Sequence, residues 1–141
     1  EWNVAADVWS VTSFTELRRE ALDVERWNML HPMDKPRVAY VGKTLENQKG
    51  PVVAATDYMR SFPEQIRPYL GDRHFLTLGT DGFGRSDMRS QLRKFFEVNR
   101  HYVVVAALKA LADTGEVDSS LVAQAIKAYK IDPDKPNPAT V

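Results

Sequence analysis

Two short apolar runs, "PVVAAT" at residues 51–56 and "HFLTL" at 74–78, constrain this chain more than any other feature. Each is compact and closed by turn-forming residues, the pattern of a strand buried on both faces. Between them "YMRSFPEQIRPYL" predicts a helix from about residue 61 to 67, with Pro63 in its first turn. Upstream, Ala5 to Thr12, "AADVWSVT", is β-branched and aromatic and reads as a further strand. The stretch "SFTELRREALDVERWNMLHP" then spaces Ser13 and Glu16 as an S-x-x-E capping box. Leu17, Ala21, Val24, Trp27 and Leu30 recur at helical intervals, and Pro32 stops the run. A short second helix is expected over residues 38–46.

After the last strand the pattern turns helical. "MRSQLRKFFE" places Met88, Leu92 and Phe95 or Phe96 on one face. "HYVVVAALKALADTG" has Asn99 as its cap and Gly115 as its stop, and Asp118 caps "SSLVAQAIKAYKI". Residues 132–141, "DPDKPNPATV", are rich in proline and are expected to be extended or frayed. Strand, helix, strand, helix, strand, then helices is an α/β pattern with mostly parallel strands. Residues 1–141 fit one domain, long enough to bury a core.

Composition narrows the function classes. Apolar residues make up 43% and charged residues 27%, an ordinary globular balance. Nineteen basic residues match nineteen acidic ones, so no global field favours nucleic acid or an anionic membrane. The absence of cysteine removes disulfides, thiolate catalysis and thiolate zinc sites, and fits a reducing cytoplasm. No apolar run approaches the roughly 20 residues of a membrane span, and Lys109 interrupts the longest candidate. The opening "EWNVAADVWSVTSF" has neither a basic n-region nor a cleavage pattern. It starts almost at once on a strand-like run, as a piece of a longer domain would.

The chemical question centres on "GTDGFGRSD", residues 79–87, directly after the second apolar run. Its glycines are spaced G-x-x-G-x-G, unlike the G-x-G-x-x-G of dinucleotide sites, and no G-K-[ST] follows. Arg85 and Ser86 beside a helix start offer groups for an anion. The simpler expectation is a tight turn in which glycine supplies φ > 0 and Asp87 caps the next helix. Ligands of open α/β sheets sit beyond the carboxyl ends of the strands. Asp57 and the Thr80–Asp81 pair occupy those ends, where two carboxylates facing one crevice suit acidic or metal-assisted chemistry. Asp is also a common turn former, which is the blander account of both.

Other catalytic patterns are missing. His31, His74 and His101 form no H-x-x-x-H or H-E-x-x-H spacing, and there is no G-x-S-x-G elbow. Trp2, Trp9, Trp27, Phe95 and Phe96 are expected to be core or interface groups. The basic "RSQLRK" is expected to be a solvated helix face. On residues alone the chain is an α/β module without a catalytic set, and an anion- or nucleotide-effector module stays open as an alternative.

Three stretches carry a resemblance that covers about Val4 to Pro138: "VAADVWSVTSFTELRREALDVERWN", "PVVAATDYMRSFPEQIRPY" and "LGTDGFGRSDMRSQLRKFFEVNRHYVVVAALKALADTGEVD". They resemble the carboxyl-terminal domain of the homodimeric bacterial pyruvate dehydrogenases, with a fold similar to the three-layer α/β/α transketolase carboxyl-terminal domain. The resemblance implies a domain that begins one strand and one helix earlier than Glu1. It implies a cytoplasmic, homodimeric parent enzyme that uses thiamine diphosphate and magnesium to decarboxylate pyruvate. The acetyl group then passes to the lipoyl group of an acetyltransferase component. In such enzymes the cofactor lies between the amino-terminal and middle domains, and the G-D-G…N motif that holds it does not occur here. No catalytic, cofactor or metal residue carries over, and neither nucleic acid nor membrane is expected as a partner. Transketolase or another 2-oxoacid dehydrogenase is the nearest alternative parent.

A missing strand exposes a sheet edge, which invites pairing between chains. The isolated 141-residue chain is therefore expected to be marginally stable or to self-associate. A monomeric mass in sedimentation, with a cooperative and concentration-independent thermal transition, is the result that contradicts this.

Overall fold

Three helix starts in this chain, after Ser13, Asn99 and Asp118, are set locally by polar side chains that satisfy the first free amides. The computed structural model describes residues 1–141. Helix α1, Phe14–Leu30, begins where Ser13 Oγ accepts the Glu16 N–H at 3.2 Å. Only that half of the capping box forms, because the Glu16 carboxylate turns to Arg19 at 2.5 Å instead of reaching back. His31 ends the helix with its ring stacked on Trp27, centroids 4.3 Å apart. Helix α2, Tyr40–Leu45, leads into strand β1, Val52–Ala55.

The helix expected over 61–67 is broken in two. Helix α3 is Ser61–Glu64, and a separate 3-10 turn spans Arg67–Tyr69. Pro68 is the physical cause: it has no N–H for the ladder and disfavours helical geometry in the residue before it. Pro63 sits in the first turn of α3 and is fully buried. Strand β2, Phe75–Leu78, follows, then α4, Arg89–Phe95.

Helix α5, Arg100–Asp113, is capped by Asn99, whose Oδ1 accepts the His101 and Tyr102 amides at 2.9 and 3.2 Å. Thr114 closes it and Gly115 follows at φ +78, a left-handed position that suits glycine. Helix α6, Ser119–Ala128, starts with Asp118 Oδ1 accepting the Ser120 amide at 2.8 Å.

The sheet has two strands, not three. β1 and β2 run parallel in the register Val52↔Phe75 to Ala55↔Leu78. Phe75 joins Val41, Ile66 and Leu70 in one core, with Phe14, Leu17, Val52 and Ala54 packed against it. Helix α5 packs across both strands, and α6 packs on α5 around Leu108, Val122 and Ala125. The result is α/β/α layering, as expected, around a sheet thinner than expected.

The strand expected over Ala5–Thr12 is absent. Those residues make no backbone hydrogen bond and are exposed throughout. β-propensity describes fitness for a pleated, half-buried surface, and here there is neither a pairing partner nor a covering layer. Trp2 nonetheless anchors the start of the segment, its Nε1 donating to the Tyr129 hydroxyl at 2.6 Å. Within residues 132–141, expected to be extended or frayed, Pro138 is buried and Lys135 is bonded to the end of α4, while most of the other residues are exposed.

Candidate functional site

The carboxyl ends of the two parallel strands define the crevice where an α/β sheet presents its loops. Thr56 continues the ladder, its amide donating to Leu78 O at 3.0 Å. The two loops that follow are stitched together: Thr80 N–H donates to Tyr58 O at 2.8 Å, and Thr80 Oγ1 donates to Asp57 O at 3.1 Å. Gly79 allows this approach. A Cβ there would stand 2.6 Å from Tyr58 O and 2.7 Å from the Arg60 nitrogen, both backbone atoms that cannot swing aside. Gly82, at φ +99, meets residues 138 and 139 of the carboxyl-terminal segment, whereas Gly84 faces open space. The three glycines of the loop therefore sit in three different settings.

Each strand-end aspartate is claimed by arginine. Asp57 accepts from Arg93 in a bidentate pair, Nε to Oδ1 at 3.0 Å and Nη2 to Oδ2 at 2.5 Å, with Arg89 Nη2 at 3.4 Å. Asp81 Oδ2 accepts from Arg60 Nε at 2.7 Å. The hydrogen bond from Arg93 is the main cause that holds the Asp57 carboxyl below its ordinary value; partial burial opposes it, and the charges of Arg93 and Arg89 reinforce it. Carboxylates neutralised in this way are poor bases and poor cation ligands. The two strand-end aspartates, for which acidic or metal-assisted chemistry and turn formation were the alternatives, form two separate ion pairs.

The remaining loop residues are scattered in role. Arg85 lies over the Phe95 ring, 4.8 Å from its centroid, instead of beside a helix start. Ser86 is exposed and makes no hydrogen bond. Asp87 is not the N-cap of α4. The cap is Met88, whose carbonyl accepts the Gln91 and Leu92 amides at 2.9 and 3.0 Å. Asp87 sits one residue too early to reach those amides, and its Oδ1 accepts the Met88 N–H at 2.7 Å. Met88 is 76% exposed, whereas Leu92 and Phe95 of the expected apolar face are half-buried and Phe96 is buried.

Sequence reasoning missed Arg60, Arg89 and Arg93. The signal was present in "RSQLRK": Arg89 and Arg93 are four apart and so share a helix face. That face is solvated, as expected, and it also pairs with Asp57 just beyond the end of β1. The cleft between these loops is small, about 60 Å³, and is walled by Arg60, Gly79, Asp81, Glu97 and residues 137–139. The histidines lie apart from it. His31 is on Trp27, His101 stacks on Tyr129 at 4.4 Å, and His74 Nε2 faces Asp113 at 3.3 Å.

Comparison with known proteins places this geometry. Residues 1–99 match the family described as the transketolase-like TK C-terminal domain. The pyruvate dehydrogenase E1 component of Cupriavidus necator is 57% identical over 141 residues, all of this chain and 16% of that protein. The protein of the same name from Pseudomonas aeruginosa is 56% identical over 138 residues, 98% of this chain and 16% of its own length. That of Escherichia coli strain K12 is 54% identical over 138 residues, 98% of this chain and 15% of its own length. The chain thus spans about one sixth of the relatives it matches.

Two outcomes follow from the geometry. Gly79→Ala is expected to cost about 1–3 kcal/mol, the range for forced overpacking, while Gly84→Ala changes stability by under about 1 kcal/mol. Equal costs in urea denaturation would contradict the close approach at Gly79. A carboxyl whose folded pKa is depressed stabilises the fold fully above its unfolded value, and that stability is lost as pH falls through the folded value. Asp57 therefore contributes above its ordinary value of 3.8 and loses its contribution at lower pH. The side chain is 52% exposed, so the contribution is small. Arg93→Ala is expected to make the acid limb of a stability–pH profile shallower without abolishing it, because Glu64, Asp113 and Asp118 are also held low.

Proposed function

The chain belongs to the transketolase-like carboxyl-terminal domain family, and from that premise we propose that it is this domain of a bacterial pyruvate dehydrogenase E1 component. The observation that carries the proposal is identity of 46% to 57% to proteins of that name, over 98% to 100% of the chain. In that role the longer polypeptide is a homodimer of the bacterial cytoplasm. It decarboxylates pyruvate oxidatively and delivers the acetyl group to the lipoyl group of an acetyltransferase component. Thiamine diphosphate, carried on magnesium by other domains, supplies the electron sink for the decarboxylation.

The residues of this chain do not fit that cofactor. No three His, Asp or Glu side chains gather where a metal ion could sit. Asp57 and Asp81, the acids nearest the crevice, are paired with arginines. No step of the chemistry is therefore assigned to them, and the role proposed for the domain is packing against the rest of the enzyme and its second copy.

Exposure supports that role. Val8 and Met33 are 95% and 96% exposed and Phe83 is 80% exposed, while only 14 of 141 residues are buried. Those side chains are free to pack against other parts of a longer protein. The extended, unbonded residues Ala5–Thr12 belong to the same account. Their β-branched and aromatic character suits a strand that pairs with residues outside 1–141, completing a sheet that is thin here.

The test uses the full-length enzyme, assayed for thiamine-diphosphate-dependent turnover of pyruvate with a lipoyl acceptor. Asp57→Asn and Asp81→Asn are each expected to hold kcat within about threefold while lowering the thermal midpoint. A loss of about 100-fold or more, with the dimer and its stability intact, would give these loops a catalytic role and overturn the packing assignment. Absence of turnover of pyruvate by the unmodified enzyme would overturn the enzyme assignment itself.

A further inference from the structure

The last ten residues are held to the domain at two places. At the first, Lys135 Nζ donates to Phe95 O at 2.6 Å and to Glu97 Oε1 at 3.0 Å. The same ammonium is 5.4 Å from the centroid of the Phe95 ring and 5.8 Å from that of Tyr102, within reach of the ring quadrupoles. Its side chain is only 23% exposed. Phe95 is the last residue of α4, where a cation also complements the free carbonyls.

The second place is a turn around Asn137. Its Oδ1 accepts the Ala139 amide at 3.0 Å, and its carbonyl accepts the Thr140 amide at 3.0 Å. This turn presses the buried Pro138 onto the glycine-rich loop. The closeness is set at Gly82, where a Cβ would stand 2.6 Å from Pro138 O and 3.0 Å from Ala139 Cα. Asn137, Pro138 and Ala139 are thereby one wall of the cleft whose other walls include Arg60, Gly79 and Asp81. The segment spans α4, grasping its end through Lys135 and the loop that precedes its start through Pro138.

We propose that residues 135–139 are an intramolecular clasp, which walls one side of the crevice at the carboxyl ends of β1 and β2 and holds the Gly79–Gly82 stretch of the following loop in place. The crevice that receives ligands in other open α/β sheets is here narrowed by the chain's own residues 137–139. Lys135 is the joint of the clasp. Its ammonium ties the segment to the end of α4 through the Phe95 carbonyl and to Glu97, just beyond, through its carboxylate. Release at this joint leaves Pro138 against Gly82 by packing alone, and the Gly79–Gly82 stretch then loses the support of that wall.

Hydrogen–deuterium exchange on the full-length protein tests this, comparing the unmodified chain with Lys135→Met, which keeps an apolar stem and removes the charge. The Thr80 amide, bonded to Tyr58 O, is expected to exchange roughly tenfold faster in the variant, with the amides of α1 and β1 unchanged. Faster exchange confined to residues 132–141 would overturn the proposal, because the segment would then be a passenger. A uniform rise across all elements would overturn it too, since the effect would be global stability. Glu97→Gln weakens the same joint from the other side in case the lysine variant does not fold. It must speed exchange in the same loop, and protection equal to the unmodified protein sinks the clasp.

Discussion

The parallel ladder between Val52–Ala55 and Phe75–Leu78 is the constraint on which the rest of this structure hangs. Parallel strands require a crossover, and the crossover supplies α3 and the 3-10 turn that cover one face with Ile66 and Leu70. The same ladder delivers both chain ends to one edge, so that the loops after Ala55 and Leu78 must run side by side. Everything called a site here follows from that adjacency. Asp57 and Thr80 bond because their strands end in register, and Gly79 is needed because the loops meet backbone to backbone.

Neutral balance at the level of composition conceals a local arrangement of charge. The strand ends carry two carboxylates, and each is met by arginine from a different element, Arg60 before α3 and Arg89 and Arg93 on α4. Exposed pairs of this type are individually worth about 1 kcal/mol or less, but the bidentate Arg93 fork fixes direction as well as distance. Their effect is to orient α4 against the end of β1.

Local signals were legible in the sequence wherever one side chain decides the outcome. Ser13, Asn99 and Asp118 each accept the amides expected of a cap, and Gly115 stops α5 at positive φ. Both runs that open the sequence argument are strands. The errors lie where the outcome depends on something distant. Ala5–Thr12 has strand chemistry but no partner, and Asp87 yields the cap to Met88 because α4 starts one residue later.

The sequence by itself determined the two paired strands, the caps at Ser13, Asn99 and Asp118 and the family, because these depend on residues a few positions apart or on similarity over the whole chain. Tertiary structure decided what the strand-end residues are for. Asp57 and Arg93 are 36 residues apart, and Lys135 reaches Glu97 across 38, so no local pattern announces either contact. Whether a carboxylate is a base, a ligand or half of an ion pair depends on which charge the fold brings to it. Here the fold brings arginine, and an acidic pair becomes a pair of braces.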